Sequence, residues 1–259
     1  MIPGDKSRQV QSVRKSFRIV NLLQELNGAT LTEVSDQLGI AKSTVHNYLA
    51  TLESMGYVVN RNGTYRLGLR FLTHGVAAKN NLGIQQVVRQ SLSVVSRELS
   101  HPTWWVVEEF GRGFFVEPSG RNGDRHIYGR VGKRSYLHTH APGKAILAEL
   151  SNEEVATIAD HHGLPEQTMK TTADLETLLS ELDTVRERGF AVSNGEAVLG
   201  VQSIGAAFRS PDGVVNAIGA FGYARDLLGS ERERELTTTL TNAVDELETT
   251  LHGGVEANA

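Results

Sequence analysis

Two short segments near the amino terminus, residues 31–38 and 42–55, carry apolar residues at helical spacing and are separated by Gly39. Thr30 and Glu33 have the spacing of a capping box, which predicts where the first helix begins. The apolar face of the second segment consists of Val45, Leu49 and Leu52. The pattern therefore predicts two helices joined by a tight turn, as in a helix-turn-helix.

The opposite face of the second helix is short and polar, and it begins with a lysine. Ser, Thr and Asn side chains there can hydrogen-bond base edges in the major groove of DNA. The residues that we predict to contact DNA from this helix are Lys42, Ser43, Thr44, His46 and Asn47. A plain helical hairpin with a solvated face would show the same pattern, so this stretch alone leaves both interpretations open.

A β-hairpin is predicted directly after this helix. Residues 57–59 and 64–67 are short β-type runs, and the Asn62-Gly63 pair between them is a strong hairpin signal. A hairpin in this place is typical of the wing of a winged helix-turn-helix, and it disfavours the plain helical hairpin. We expect Arg61, Asn62 and Arg66 to contact DNA from the wing, with both arginines at its tip against phosphates.

The pattern after the wing predicts a linker helix and a second, larger domain. A helix predicted at 13–26 precedes the helix-turn-helix and completes the first domain. After the wing, helical spacing recurs in segments 69–78, 84–99, 141–150, 152–161, 173–188 and in a final helix from Ser230. Strand-like runs occupy residues 103–110, 114–116, 125–130, 190–193, 201–208 and 214–221. Strands that come as hairpins between helices predict a two-domain α+β fold with a mainly antiparallel second sheet. The predicted domains are residues 10–71 and 72–255.

Charge is distributed unevenly along the chain. Residues 1–75 carry nine Lys and Arg against five Asp and Glu, whereas the remainder is acidic and brings the whole chain to a net charge of −4. The basic part is the part with the predicted helix-turn-helix. This asymmetry is typical of a nucleic-acid-binding module fused to a module that binds something else.

Composition excludes several other classes of protein. The absence of cysteine excludes disulfides, thiolate metal sites and a cysteine nucleophile. The sequence has no apolar run long enough to span a membrane, and its start lacks the apolar region of a secretory signal. We therefore expect a cytoplasmic protein with no membrane partner.

One small-residue stretch, LHTHAPGKAIL at 137–147, is the best candidate for a ligand site. Pro142 lies in the first turn of the predicted helix, and the positive end of a helix can bind an anion. Thr139 and His140 precede this turn, where they can donate to a carboxylate. A plain helix start packed on the sheet remains the alternative.

Four segments together resemble the IclR family of transcriptional regulators. They read VRKSFRIVNLL, KSTVHNYLATLESMGYV, LHTHAPGKAILAEL and ERGFAVSNGEAVLGVQSIGAAF, and they follow the family's order and spacing. The resemblance extends over nearly the whole chain. The resemblance implies a winged helix-turn-helix, a linker helix and a GAF-like effector-binding domain. It also implies operator DNA as a partner, assembly as a homodimer or homotetramer, and a small organic or sugar acid as the effector.

The resemblance further implies which residues line the effector pocket. The matching positions are Thr139, His140, Ala141, Pro142, Gly143, Ser193, Val201, Ser203, Gly219 and Phe221. Two of them depart from the family: Pro142 removes a backbone N–H, and Phe221 stands where some acid-binding members have a small polar residue. Both departures favour a ligand larger than the smallest acids. Glu196 matches an acidic position of the family whose role the sequence does not assign.

Metal and enzyme chemistry find little support in the sequence. Histidines cluster at 138, 140, 161 and 162, but no cysteine or acidic residue at recognisable spacing completes a metal site. The motifs G-x-S-x-G, H-E-x-x-H and the P-loop are absent. We expect a non-enzymatic regulator without a metal or another cofactor. The rival interpretation is a GAF-like sensor or enzyme that acts through a protein partner, with the helix-turn-helix as an interaction module.

Overall fold

The computed structural model of the protein describes residues 9–120, 127–223 and 230–256. The chain forms two compact units, the first ending at Gly83 and the second beginning at Ile84. The first unit is a winged helix-turn-helix and the second is an antiparallel sheet with helices, which confirms the predicted α+β fold class. This division places the linker helix in the first unit.

The first unit consists of helices around a small winged sheet. Its elements are α1 (Gln11–Glu25), β1 (Ala29–Thr30), α2 (Leu31–Leu38), α3 (Lys42–Ser54), β2 (Val58–Arg61), β3 (Thr64–Leu67) and α4 (Arg70–Asn80). The three strands are antiparallel in the order β1-β3-β2. Strand β1 has only two residues and was not predicted, and it makes β3 the central strand.

Local sequence signals explain how these elements begin and end. The Thr30 hydroxyl accepts from the Glu33 N–H while the Glu33 carboxylate accepts from the Thr30 N–H, which completes the predicted capping box. Gly39 ends α2 with a φ of 63°. Asn62 and Gly63 have φ values of 55° and 84°, the left-handed conformations that a two-residue hairpin turn requires.

The second unit is built on one larger sheet. Its helices are α5 (Gln85–Leu99), α6 (Ala141–Ala148), α7 (Asn152–His162), α8 (Leu175–Arg188) and α9 (Ser230–Glu256), and a 3₁₀ turn covers Leu137–Thr139. Its strands are β4 (Thr103–Glu109), β5 (Arg112–Ser119), β6 (Arg134–Tyr136), β7 (Ala191–Asn194), β8 (Val201–Arg209) and β9 (Val215–Tyr223). Among the described residues these strands pair antiparallel in the order β6-β5-β4-β9-β8-β7.

Helices cover both faces of this sheet. The Thr103 hydroxyl of β4 donates to the Leu92 carbonyl of α5, which places α5 and its neighbour α9 on one face. Alternation along β4 puts Trp104 on the other face, where its ring lies edge-on to Phe115. Helix α6 packs on that second face, across β8 and β9. The second face, together with α6, therefore contains the predicted ligand site.

The strand predicted at 125–130 is not confirmed. Part of it lies outside the described residues, and 127–130 form no strand. The edge strand beside β5 is β6 instead, which is only three residues long. Its sequence, RSY, is too short to show an alternating pattern, and its position depends on pairing with β5.

Candidate functional site

The reader helix α3 has one buried face and one exposed face. Val45 and Leu49 are fully buried against residues of α1 and α2, so the helix has a fixed rotation about its axis. Four of the five predicted DNA-contacting residues are exposed, and they are Lys42, Ser43, His46 and Asn47. Thr44 is half-buried. The exposed residues form a continuous polar surface along the first two turns of α3.

The start of α3 has no side-chain cap. Ala41 occupies the N-cap position and makes no side-chain hydrogen bond. By contrast, the N-cap positions of α2 and α7 carry Thr30 and Ser151, each in a complete capping box. A helix start whose first N–H groups are left to solvent can donate them to a phosphate of a bound duplex.

The wing separates its two arginines. Arg61 pairs with Thr64 beside the turn, and its side chain is exposed. Arg66 pairs with Val59 and lies back from the tip, with its aliphatic part against Gly28. The prediction that both arginines are at the tip is therefore wrong for Arg66, because β1 pairs with the far edge of β3 and the chain turn before β1 contacts this side chain.

A cluster that the sequence did not reveal fixes the linker helix to the wing. The Tyr57 hydroxyl lies 2.6 Å from Nε2 of His74, and the rings of Tyr57 and Phe71 are 4.9 Å apart. The Arg70 guanidinium lies over the Tyr57 ring and donates to the Met55 carbonyl at the end of α3. Arg70, Phe71 and His74 are spaced so that they share one side of α4, and this side packs against Tyr57. Their helical spacing is the sequence feature from which the cluster could have been predicted.

The predicted effector residues come together around the start of α6. The Ala141 N–H donates to the Ser203 hydroxyl at 3.1 Å, and the Ser193 hydroxyl donates to the Thr139 carbonyl at 3.5 Å. Gly143, Phe221 and Val201 are buried in the same region of the second unit. Their assignment to an effector site stays a prediction.

Glycines in the sheet let the start of α6 pack directly on the strands. A Cβ atom at Gly205 or at Gly219 would overlap Pro142. A Cβ atom at Gly143 would likewise overlap the backbone of Leu137. These close approaches bury the first turn of α6 completely, so the turn is sealed between the sheet and the preceding 3₁₀ turn.

The amide groups at this helix start are already occupied, so they do not provide the anion-binding donors that the sequence suggested. His140 is the N-cap: its Nδ1 accepts from the Gly143 N–H at 3.1 Å, and its carbonyl accepts from the Lys144 N–H. Ala141 donates to Ser203, and Pro142 has no N–H. No donor of the first turn is left for an anion.

His140 is also uncharged near neutral pH, so it adds no positive charge for a carboxylate. Its Nδ1 accepts a hydrogen bond, so the neutral tautomer carries hydrogen on Nε2 and donates to the Ser135 hydroxyl at 2.7 Å. Burial, together with the smaller effect of the positive charge on Lys133, lowers the pKa of His140 to about 3. His140 therefore has a structural role in capping α6.

An aromatic cluster occupies the face of the sheet beside His140. The rings of Tyr128 and Phe221 stack at a centroid distance of 5.3 Å, and Phe115 lies edge-on to Tyr128 at 5.6 Å. The Lys133 ammonium lies 2.9 Å from the centre of the Tyr128 ring and donates to the Tyr128 carbonyl. Burial lowers the pKa of Lys133 to about 8. Of these residues, only Phe221 was predicted.

Lys144, in the first turn of α6, forms an ion cluster in which Lys144 and Glu196 are buried and Glu181 is half-buried. The Lys144 ammonium lies 2.7 Å from Oε2 of Glu181 and 2.5 Å from Oε2 of Glu196. The Thr172 hydroxyl donates to the second oxygen of Glu181. Desolvation raises the pKa of Glu196 although Lys144 acts in the opposite direction. Glu196, which the sequence left without a role, thus joins the loop after β7 to helix α6.

Comparison with known proteins identifies the family of the chain. The family model described as the bacterial transcriptional regulator IclR C-terminal matches residues 76–249, and the IclR helix-turn-helix domain matches residues 12–61. The chain belongs to the IclR family. This confirms the family that the sequence resemblance indicated. Members of this family combine a helix-turn-helix domain with an effector-binding domain.

Individual relatives in the IclR family cover almost the whole chain. A probable HTH-type transcriptional regulator ArcR of Halobacterium salinarum is 28% identical over 250 residues, which are 94% of this chain and 95% of the relative. The HTH-type transcriptional regulator KdgR of Escherichia coli is 29% identical over 240 residues, 90% of each chain. An IclR homolog from Microbacterium hydrocarbonoxydans, solved with 4-hydroxybenzoate, has a TM-score of 0.75 at 20% identity and covers 92% of this chain and 99% of its own.

Other site chemistries find no support in the described parts of this IclR-family chain. Within residues 9–120, 127–223 and 230–256, no group of three or more His, Asp or Glu could hold a metal ion. His138 contacts the Pro165 carbonyl and His162 contacts the Phe110 carbonyl. No helix among these residues is long and apolar enough to cross a membrane.

Proposed function

We propose that this protein is a sequence-specific DNA-binding regulator of transcription, controlled by a small, anionic metabolite, and that it acts without catalysis. The observation that supports this most strongly is the reader helix α3. Its buried face fixes its rotation, and its exposed face presents Lys42, Ser43, His46 and Asn47. A helix held in this way by a winged helix-turn-helix can enter the major groove with those side chains toward base edges.

Asn47→Ala is expected to reduce discrimination between operator and random DNA while weak non-specific binding remains. Asn47 is exposed on the reader face, and a good bidentate contact to a base contributes about 1–3 kcal/mol of discrimination. The measurement is a gel-shift titration with duplexes selected from genomic fragments by the wild-type protein. Gln37→Ala, an exposed amide on α2 outside the reader face, is the matched control. Equal operator affinity in wild type and Asn47→Ala would remove Asn47 from the proposed contacts.

Arg61→Ala and Arg66→Ala are expected to weaken binding to all DNA about equally. Both side chains are exposed on the wing, and an arginine on a phosphate contributes charge without reading sequence. Each change should reduce the slope of log affinity against log salt by about one unit. Arg89→Ala, an exposed arginine of the second unit, should leave the slope unchanged. A loss confined to one DNA sequence would instead assign these side chains to base recognition.

A homodimer or homotetramer is part of the proposal, because two readers are needed for a two-fold symmetric operator. The first unit presents an apolar groove of about 690 Å³ between α1, α3 and α4. Three apolar side chains that line it are about half exposed, and they are Val13, Phe17 and Met55. We infer that a second copy of this chain covers the groove, since an exposed apolar patch of this kind is a typical interface.

The metabolite is proposed to bind beside the start of α6, on the face of the sheet that α6 covers. In support, the predicted residues Thr139, Ser193 and Ser203 converge there, and the solved IclR homolog contains an organic acid, 4-hydroxybenzoate. We propose an organic or sugar acid as the class of effector. Because the amides of α6 are occupied, an acid bound here needs a different positive group, and that group must come from a side chain.

A further inference from the structure

Lys133 is a cation placed among aromatic rings. Its ammonium contacts the ring and the carbonyl of Tyr128, and it lies 5.6 Å from the centre of the Phe115 ring. Among the described residues, no carboxylate lies within ion-pair distance of it. The Lys133 ammonium is half-buried and has therefore lost part of its hydration. Its contacts with one ring and one carbonyl offset only part of this desolvation cost. An incoming anion would complete its coordination.

Tyr128 differs from the other rings of the cluster. Phe115 and Phe221 belong to strands β5 and β9 and are fully buried. Tyr128 is half-buried, lies in an irregular segment and stacks on Phe221 from outside the sheet. It can therefore leave its place without breaking strand pairing, and its departure would expose two aromatic faces.

The hydroxyl groups around the cluster are already used. Ser135 accepts from His140 and donates to the Gly113 carbonyl, and Thr139 donates to the Tyr136 carbonyl. The hydroxyls of Ser193 and Ser203 are bonded to backbone groups as described above. A ligand rich in hydroxyl groups would find few free partners here and would desolvate its own polar groups. A flat apolar ring could instead stack on the aromatic faces of Phe115 and Phe221.

We propose that the effector is a carboxylate carried on an aromatic ring, which replaces the Tyr128 ring against Phe221 and Phe115 and places its carboxylate on Lys133. This inference rests on the proposed effector-binding function and specifies the ligand of that site. It assigns the anion to Lys133 rather than to the start of α6. It also gives Tyr128 the role of occupying the site in the absence of ligand.

The test is calorimetric titration of the full-length protein with benzoate, phenylacetate and 2-naphthoate, and with benzamide as the uncharged analogue. We expect at least one of these carboxylates to bind, and Lys133→Gln to weaken that binding about tenfold or more, because a charge-assisted hydrogen bond is lost. Lys133→Gln should leave any benzamide binding unchanged. Lys170→Gln, an exposed lysine of the same unit, should bind like wild type.

A second variant separates a role in binding from a role in folding. Tyr128→Ala removes the ring whose place the ligand takes, so it should bind the carboxylate more tightly than wild type does. Weaker binding by Tyr128→Ala, or equal affinity of Lys133→Gln and wild type, would overturn the inference. So would the failure of all three aromatic carboxylates to bind.

Parallel titrations with galacturonate and gluconate distinguish this inference from the proposed function. If a sugar acid binds and Lys133→Gln binds it equally well, the effector-binding function stands and the aromatic carboxylate is wrong. If a broad thermal-shift screen of organic and sugar acids gives no binding at all, the effector-binding function itself is contradicted.

Discussion

Lys144→Met is expected to lower the free energy of unfolding of the second unit by about 3–5 kcal/mol, as removal of one partner from a buried ion pair does. The lysine side chain is 5% exposed, and its ammonium contacts Glu181 and Glu196. Without it, Glu196 stays buried with no cation, and the two carboxylates repel each other. Methionine fills about the same volume as the aliphatic part of lysine. The decrease in unfolding free energy therefore comes from the lost charge and not from a cavity.

Urea denaturation followed by tryptophan fluorescence measures this loss, since both tryptophans, Trp104 and Trp105, lie in the second unit. The double variant Lys144→Met/Glu196→Gln should recover part of the stability, because it removes the unpaired charge. Lys170→Met, at an exposed lysine, serves as the control. A loss below about 1 kcal/mol would show that the cluster behaves like a surface ion pair.

Acidification from pH 7 to pH 5 is expected to remove about 4 kcal/mol of stability that two buried histidines contribute to the second unit, about 2 kcal/mol for each. Burial lowers the pKa of His140 to about 3 and that of His138 to about 4. A histidine in the unfolded chain takes up a proton near pH 6.5, whereas these two stay neutral while folded. Their contribution is therefore complete above about pH 6.5 and is lost as pH falls toward 4 and 3.

His140→Asn identifies how much of this dependence comes from the helix cap. Asparagine can accept the Gly143 N–H in place of Nδ1, but it takes up no proton in this range. The difference in unfolding free energy between pH 7 and pH 5 should fall by about 2 kcal/mol in this variant. The exposed His161→Asn should behave like wild type. An unchanged difference in His140→Asn would show that His140 takes up a proton as readily in the folded protein as in the unfolded chain.

The sequence predicted the first unit well because its elements begin and end at local signals. The Thr30 capping box, the left-handed Gly39 and the Asn62-Gly63 turn each act over three or four residues, so they can be recognised without knowledge of the tertiary structure. The position of Arg66 could not be predicted in the same way. It depends on β1, a two-residue strand that forms only by pairing with β3.

The second unit shows where sequence reasoning fails for physical reasons. The motif around Pro142 was correctly predicted to begin a helix, yet the same residues suggested an open anion site. Whether that helix start is open depends on Gly205 and Gly219, which lie more than sixty residues away and let Pro142 contact the strands. The burial of Lys133 could not be predicted from the sequence, because it depends on the tertiary contact of this lysine with the Tyr128 ring.

The central claim, that the exposed face of α3 reads DNA sequence, is tested most directly by fluorescence anisotropy with a selected genomic operator and a scrambled duplex of equal length. We expect the operator to bind about a thousandfold or more tightly than the scrambled duplex at physiological salt, and both affinities to fall linearly on a log–log plot against salt concentration. Equal affinity for the two duplexes, or binding that does not respond to salt, would contradict it.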